Sequence, residues 1–384
     1  MKIALVHKRY DRLGGAEWDC YELSRQLAGR GHEVHLVVGE CRVPPDAAMH
    51  LHRVPVVRTG KLAKLASFAV MAPRVWRPIA ADVVIGFGRT VGWDLFRASG
   101  SAHLRWLARV AAERGALHAL RQRLSPYHRL ILAIERRQYA ADTRGMVLAV
   151  SELSRQEILE SYPRLPAEKI AVLHYGVDVE RFHPARRAAD GAAVRAELGI
   201  GPEQPLVLLV GSGFRRKGVD VLLDVWRREP PAGAALVVVG NDQHLAQRSR
   251  AARALTGPVV FTGPRPDVER FYAAADVFAL PSLHEGCPVA ILEALASGVP
   301  VVTSRATGAP ELLPGPLAEL LVDDPRDAAA IAARLRLGLD PGRRPTFIAA
   351  ARAAGCANAL DVAVARLEAW CRWAAAARRE RGDV

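Results

Sequence analysis

The run Val277-Phe278-Ala279-Leu280 leads through Pro281 and Ser282 to Glu285-Gly286-Cys287-Pro288-Val289-Ala290-Ile291-Leu292-Glu293. Four consecutive apolar residues read as a strand buried on both faces, the pattern of a parallel sheet. The Gly/Pro stretch after it reads as a loop, and Glu293-Ala294-Leu295-Ala296-Ser297-Gly298 as the start of a helix. Strand, loop and helix start together make an anion site, because unpaired backbone N–H groups and the helix dipole point into the loop. Glu285 and Glu293, eight positions apart, cannot themselves hold phosphates beside such a site. They are suited to accept hydrogen bonds from hydroxyls of a sugar or ribose joined to the phosphate, so the pair suggests a nucleotide-sugar pocket.

Outward from this run the same alternation repeats. Ile3–Val6, Val34–Val38 and Asp82–Ile85 are apolar runs separated by helical stretches such as 16–30, and Leu206–Val210, Ala235–Val239, Val259–Phe261 and Asp276–Leu280 repeat the scheme later. Two βαβ halves predict an α/β protein of two doubly wound, Rossmann-like domains. A length of 384 residues also exceeds one comfortable core. The expected domains are 1–182 and 205–362, joined by an Ala/Arg/Gly-rich linker over 183–204. Ligands of open parallel sheets bind beyond the carboxyl ends of the strands. Two such domains facing each other are therefore expected to share an interdomain cleft on which the strand-following motifs converge.

Composition narrows the class. The five cysteines (Cys20, Cys41, Cys287, Cys356, Cys371) are odd in number, scattered and without C-x-x-C spacing, which argues for reduced thiols in a cytosol, against a disulfide frame and against zinc. Met1-Lys2-Ile3-Ala4-Leu5-Val6 reads as a strand rather than a signal peptide, and no apolar run approaches the roughly 18 residues of a membrane span. The net charge is +13, and only six of the 53 basic residues are lysine. Residues 1–180 hold 27 Lys+Arg against 18 Asp+Glu, so +9 of the +13 lies in the first half. That asymmetry favours an anionic partner for the first domain. Zinc-finger, RNP and basic-region patterns are missing, so an anionic membrane surface or phosphorylated glycolipid fits better than nucleic acid. Residues 58–77 mix Arg58, Lys61, Lys64, Arg74 and Arg77 with Leu62, Leu65, Phe68 and Ala72 on one helical face, interrupted by Pro73. The segment reads equally as a membrane-interface helix and as a core-facing helix with a solvated basic side.

Gly211-Ser212-Gly213-Phe214-Arg215-Arg216-Lys217-Gly218 follows the strand over 206–210. Its glycines permit tight turns, while Arg216 and Lys217 supply positive charge. It is neither a Rossmann Gly-x-Gly-x-x-Gly fingerprint nor a P-loop. The chain has no Asp-x-Asp motif of the kind that holds Mg²⁺ on a diphosphate. Leaving-group charge is therefore expected to fall to Arg216, Lys217 and backbone N–H groups, with no metal or other cofactor required. Gly14-Gly15 forms the turn between the first strand and first helix, placed to bring backbone amides to a phosphate.

Taken with Gly176-Val177-Asp178 and Gly298-Val-Pro-Val-Val302, these motifs resemble, in order and spacing over nearly the whole chain, the retaining GT-B glycosyltransferases of family 4. Within it, Gly-Ser-Gly-Phe-Arg-Arg-Lys-Gly-Val-Asp is similar to a run of the lipopolysaccharide core glucosyltransferase I group. The resemblance implies that Arg216 and Lys217 contact the donor diphosphate and Glu293 the ribose. Glu285 and the backbone of Gly286, Cys287, Pro288 and Val289 would face the transferred sugar, with Gly211, Gly14 and Gly15 also at the donor. Cys287 departs from the residue usual in that position. Asp19 lies where the core glucosyltransferases also have Asp, and Arg97-Ala-Ser-Gly-Ser-Ala-His103-Leu-Arg-Trp106-Leu resembles their acceptor-side motif, with Gly100 where an Asp often sits. His103 is thus the candidate beside the reacting carbon. The resemblance further implies a closing helix, 363–384, packed on the first domain. It also implies a monomer, peripheral on the cytoplasmic side of the inner membrane, moving a sugar from a nucleotide donor, UDP-glucose first, to a lipid-linked glycan. A sugar-nucleotide epimerase of the same fold and a non-catalytic anion-binding protein are the alternatives.

Overall fold

The computed structural model describes residues 1–380 except 13 and 256. The apolar runs become the strands of two parallel sheets, each in its own compact unit. One unit comprises Met1–His174 together with the chain from Ala363 onward, and the other Tyr175–Val362.

The first unit's sheet contains β1 (Lys2–Tyr10), β2 (Glu33–Cys41), β3 (Met49–Arg53), β4 (Val83–Phe87), β5 (Leu95–Ala98), β6 (Met146–Ala149) and β7 (Ile170–Val172), in the order β3-β2-β1-β4-β5-β6-β7. Each pairing is parallel, for example Ile3 beside Val34 and Val83. Helices cover both faces, as buried parallel strands require. On one face Phe68, Ala72 and Trp76 of the helix Lys61–Trp76 pack with Val6, Val37, Val84 and Phe96. This packing resolves the double reading of 58–77. Leu65, Phe68, Ala72 and Trp76 are buried in the core, Lys64 pairs with Glu40, and the helix continues through Pro73. The apolar stripe is thus occupied by protein, although Leu62 at its start stays exposed. The closing helix, Leu360–Glu380, places Glu368 against His32 (2.9 Å) and Arg30 (3.0 Å), while Arg378 donates to Ala81 O.

The second unit's sheet holds β8 (Leu206–Val210), β9 (Ala235–Val239), β10 (Val259–Gly263), β11 (Val277–Leu280), β12 (Val301–Ser304) and β13 (Leu321–Val322), ordered β10-β9-β8-β11-β12-β13. The helix Val219–Arg228 shows why the sequence folds this way. Val219, Leu222, Leu223, Val225 and Trp226 are buried, and Asp220, Asp224, Arg227 and Arg228 fall on the other side. Residues 183–204, read as a linker, instead carry the short turn Pro184–Arg187 and the helix Asp190–Glu197. Arg195 on that helix is buried and donates to Ala274 O, Gln204 O and Asp276, whose carboxylate also accepts from Leu206 N. A buried guanidinium with this many acceptors builds the segment into the second unit. Composition alone conceals the role, because Ala, Arg and Gly suit both linkers and helix surfaces.

Candidate functional site

In the second unit the loop after β8 and the loop after β11 meet at one charged cluster. The four residues Phe214–Lys217 form a single helical turn between Gly213 and Gly218, both left-handed. Gly218 has φ +82°, and a Cβ there would lie 2.3 Å from Pro281 O, so only glycine lets the two loops approach this closely. Leu283 N donates to Arg216 O (2.9 Å), closing the contact. Lys217 Nζ then lies 2.6 and 2.8 Å from the two carboxylate oxygens of Glu285, Arg216 also donates to Glu285, and Ser282 Oγ is 3.3 Å away. Lys217 and Glu285 are both buried, whereas Arg216 reaches solvent. Burial lowers the Lys217 pKa against the upward pull of Glu285. A cation pair fixed on one carboxylate is preorganised positive charge, the requirement for stabilising a departing phosphate.

The helix after the loop begins at Val289, with Pro288 as its N-cap, and runs to Ala296. This corrects the expected start at Glu293, which lies one turn inside. The helix start therefore lies at the Gly286–Val289 loop and not at Glu293. Burial raises the Glu293 pKa, and Tyr272 Oη donates to its Oε2 at 2.8 Å. The sequence reading missed Tyr272, 21 positions upstream, because within Phe271-Tyr272-Ala273-Ala274 it looks like one more core residue. Cys287 is buried, and burial also keeps Pro288 from solvent.

In the first unit the candidates have separate partners. Gly14, at φ +106°, precedes the helix Gly15–Gly29, and a Cβ there would strike Glu17 Oε2 at 2.5 Å. Asp19 is buried and accepts from Arg97 Nε at 2.8 Å, while Arg97 also donates to Leu173 O and His174 O. Burial pushes the Asp19 carboxyl upward against the Arg97 guanidinium. Asp19 thereby ties the first helix to β5. His103 opens the helix His103–Arg114, and its backbone N–H donates to both oxygens of buried Glu135 (2.8 and 3.0 Å). Glu135 is also held by Arg89 and Tyr162. The His103 ring stacks on Trp106 and on His128, whose Nδ1 is 2.9 Å from His103 Nε2. Burial, then Arg89 and His128, lower its pKa to about 4. His103 is therefore neutral near pH 7 and suited to position a hydroxyl, not to act as a strong base. Glu135 and His128 escaped the sequence reading because they sit on the helix Pro126–Gln138, with no motif around them.

Comparison with known proteins adds the following. The family description "Glycosyl transferases group 1" matches residues 204–340, and "Glycosyltransferase Family 4" matches 13–181. The chain is 27% identical to the lipopolysaccharide glucosyltransferase WaaG of Escherichia coli (strain K12) over 312 residues, 80% of this chain and 81% of WaaG. It is 30% identical, over 82% of each chain, to a GDP-mannose-dependent alpha-(1-6)-phosphatidylinositol dimannoside mannosyltransferase of Mycobacterium tuberculosis. A crystal structure of WaaG matches the fold with a TM-score of 0.80 at 24% identity, over 95% of this chain and 98% of that one. Anabaena Alr3699/HepE in complex with UDP-glucose matches with a TM-score of 0.69 at 18% identity, over 96% of this chain and 98% of that one.

Proposed function

The chain belongs to glycosyltransferase family 4 and is a hexosyltransferase of the GT-B fold; on that premise we propose that it moves glucose from UDP-glucose to a sugar of a lipid-linked glycan, with retention and without a metal. The observation that carries this reading is the Arg216–Lys217–Glu285 cluster at the carboxyl end of β8 and β11. Its two cations meet the donor diphosphate, and Glu285 holds Lys217 in place and faces the sugar. Glu293, oriented by Tyr272, accepts from the ribose hydroxyls. In front-face transfer the acceptor oxygen bonds to the anomeric carbon as the bond to the diphosphate oxygen breaks. The acceptor proton passes to the leaving phosphate, so no protein base is needed. The relative that uses GDP-mannose makes that donor the competing choice.

No helix among the described residues is long and apolar enough to cross a membrane. Support for an anionic membrane surface as partner now comes from the helix Ala116–Leu124, where Leu117, Leu120 and Leu124 are 66%, 52% and 66% exposed beside Arg121 and Arg123. In this proposal the protein is accordingly peripheral on the inner membrane, with the expected monomer and cytoplasmic side carried over from the resemblance alone.

Calorimetric titration of UDP, UDP-glucose, UDP-GlcNAc and GDP-mannose, each with and without EDTA, tests this function. One uridine donor should bind in both conditions, and at least tenfold more weakly to Glu293→Gln, the scale of a lost hydrogen bond to a charged group. Failure of every nucleotide to bind would move the anion-binding alternative ahead.

A further inference from the structure

Three histidines and a glutamate share one face at the edge of the first unit's sheet. Glu33 and His35 lie on β2, His50 and His52 on the edge strand β3, and the register pairs His35 with His50 and Val37 with His52. Because side chains alternate along a strand, Glu33, His35, His50 and His52 project to the same side. The buried His35 ring stacks with both of the others, at centroid distances of 4.7 Å (His50) and 5.1 Å (His52). Its Nε2 is 2.9 Å from Glu33 Oε1, and its Nδ1 is 2.9 Å from His52 Nε2. One ligand atom each from Glu33, His35 and His50 fall within 4.8 Å of one another. Sugar transfer makes no use of this group. Glu33 and His35 open β2, at the amino end of the strands, whereas the Gly14 turn follows the carboxyl end of β1.

We propose that Glu33, His35 and His50 form a divalent-cation site of the Zn²⁺ type. Two imidazoles and one carboxylate suit Zn²⁺, which leaves a fourth position for water. Ligand atoms about 2.0–2.2 Å from a tetrahedral ion stand roughly 3.4 Å apart, so the set closes by side-chain rotation alone. His35 Nε2 faces the ion, and His35 Nδ1–H donates to His52 Nε2. That outer hydrogen bond fixes the tautomer and ring orientation. Three adjustments accompany binding. The His35 Nε2 hydrogen bond to Glu33 Oε1 gives way to the ion, and the ring proton passes through solvent to Nδ1 while the His52 Nε2 proton moves to its Nδ1. Lys2 Nζ, 3.6 Å from Glu33 Oε1, gives up an exposed ion pair of small worth, and the exposed His50 turns out of its stack. The bound ion then ties the edge strand β3 to β2.

The full chain, purified without a histidine tag and stripped with a chelator, is titrated with ZnCl₂ against a competing chelator of known affinity. One equivalent should bind per chain. Affinity should fall by about 100-fold in His50→Ala and in Glu33→Gln, and about tenfold in His52→Ala, the range for lost ligands and outer partners. His244→Ala, altering an exposed imidazole of the second unit, should bind as the parent does. Circular dichroism checks that each variant is folded, and zinc-edge absorption should report two imidazoles and one carboxylate oxygen. Absence of an equivalent in the parent, or equal affinity in the parent, His50→Ala and Glu33→Gln, overturns the proposal.

Discussion

Replacing Glu285 by Gln should destabilise the second unit by leaving a buried ammonium without its counter-charge. Lys217 is 9% exposed, and both carboxylate oxygens of Glu285 lie within hydrogen-bond reach of its Nζ. Removing one partner of a buried pair costs about 3–5 kcal/mol. Gln keeps a carbonyl acceptor, and Arg216, with a side chain 53% exposed, loses little, so the lower end applies, about 3 kcal/mol. At about 2–4 °C per kcal/mol for a unit of this size, Tm should drop by roughly 6–12 °C. The pH dependence gives a second, sharper signature. Burial already lowers the Lys217 pKa and Glu285 opposes it, so the variant's lysine titrates lower still. Between that lowered folded value and the ordinary value of about 10.4, the unfolded chain binds a proton that the folded chain does not, so stability rises with pH across this window. The deficit of Glu285→Gln should therefore be largest near pH 7 and narrow toward pH 10. Adding Lys217→Met should restore most of the loss, because it removes the stranded charge while keeping an apolar chain of similar length. Thermal and urea unfolding of the parent, both single variants and the double variant measure all of this. A double variant no more stable than Glu285→Gln at pH 7, or a deficit identical at pH 7 and 10, would refute the reasoning.

Two further outcomes separate structural from chemical roles in the first unit. Asp19→Asn should cost about 3–5 kcal/mol in unfolding experiments, since Arg97 stays buried without its charge partner, while donor affinity at 10 °C changes less than about twofold. A tenfold loss of donor affinity in a folded variant would return Asp19 to the donor site. His103, with a pKa lowered to about 4, favours the folded state most above pH 6.5, and this contribution is lost as pH falls from about 6.5 toward 4. His103→Gln should accordingly lose less stability over that interval than the parent, and leave any limb of the pH–rate profile above pH 6 in place. A limb near pH 7 that vanishes in the variant would assign His103 a proton-transfer role.

The architecture was legible because buried parallel strands leave uninterrupted apolar runs. Leu206–Val210 and Ala235–Val239 are read from the sequence with the ends they have in the fold. The cluster was legible in composition but not in connectivity. The resemblance singled out Arg216, Lys217 and Glu285, yet the pairing of both cations on one carboxylate depends on a loop contact across 68 positions. The helix start was misplaced because Val289-Ala290-Ile291-Leu292 has the apolar character of either strand or helix, and the Pro288 cap is ambiguous with a loop proline. Pro73 misled in the opposite direction. A proline inside a helix is normally disruptive, but the anchoring of Phe68, Ala72 and Trp76 in the core outweighs the lost hydrogen bond.

The approach of Gly218 to Pro281 O bears on how freely this loop can be re-engineered. Its shape is set by two backbones in contact, so no compensating side chain elsewhere can rescue a larger residue at that point. A library aimed at a new donor should therefore hold position 218 constant and spend its diversity on Ser212 and Arg215, which face solvent on the same short turn. Adaptability and fixity then sit three residues apart on one loop, and the paired cations Arg216 and Lys217 lie between them.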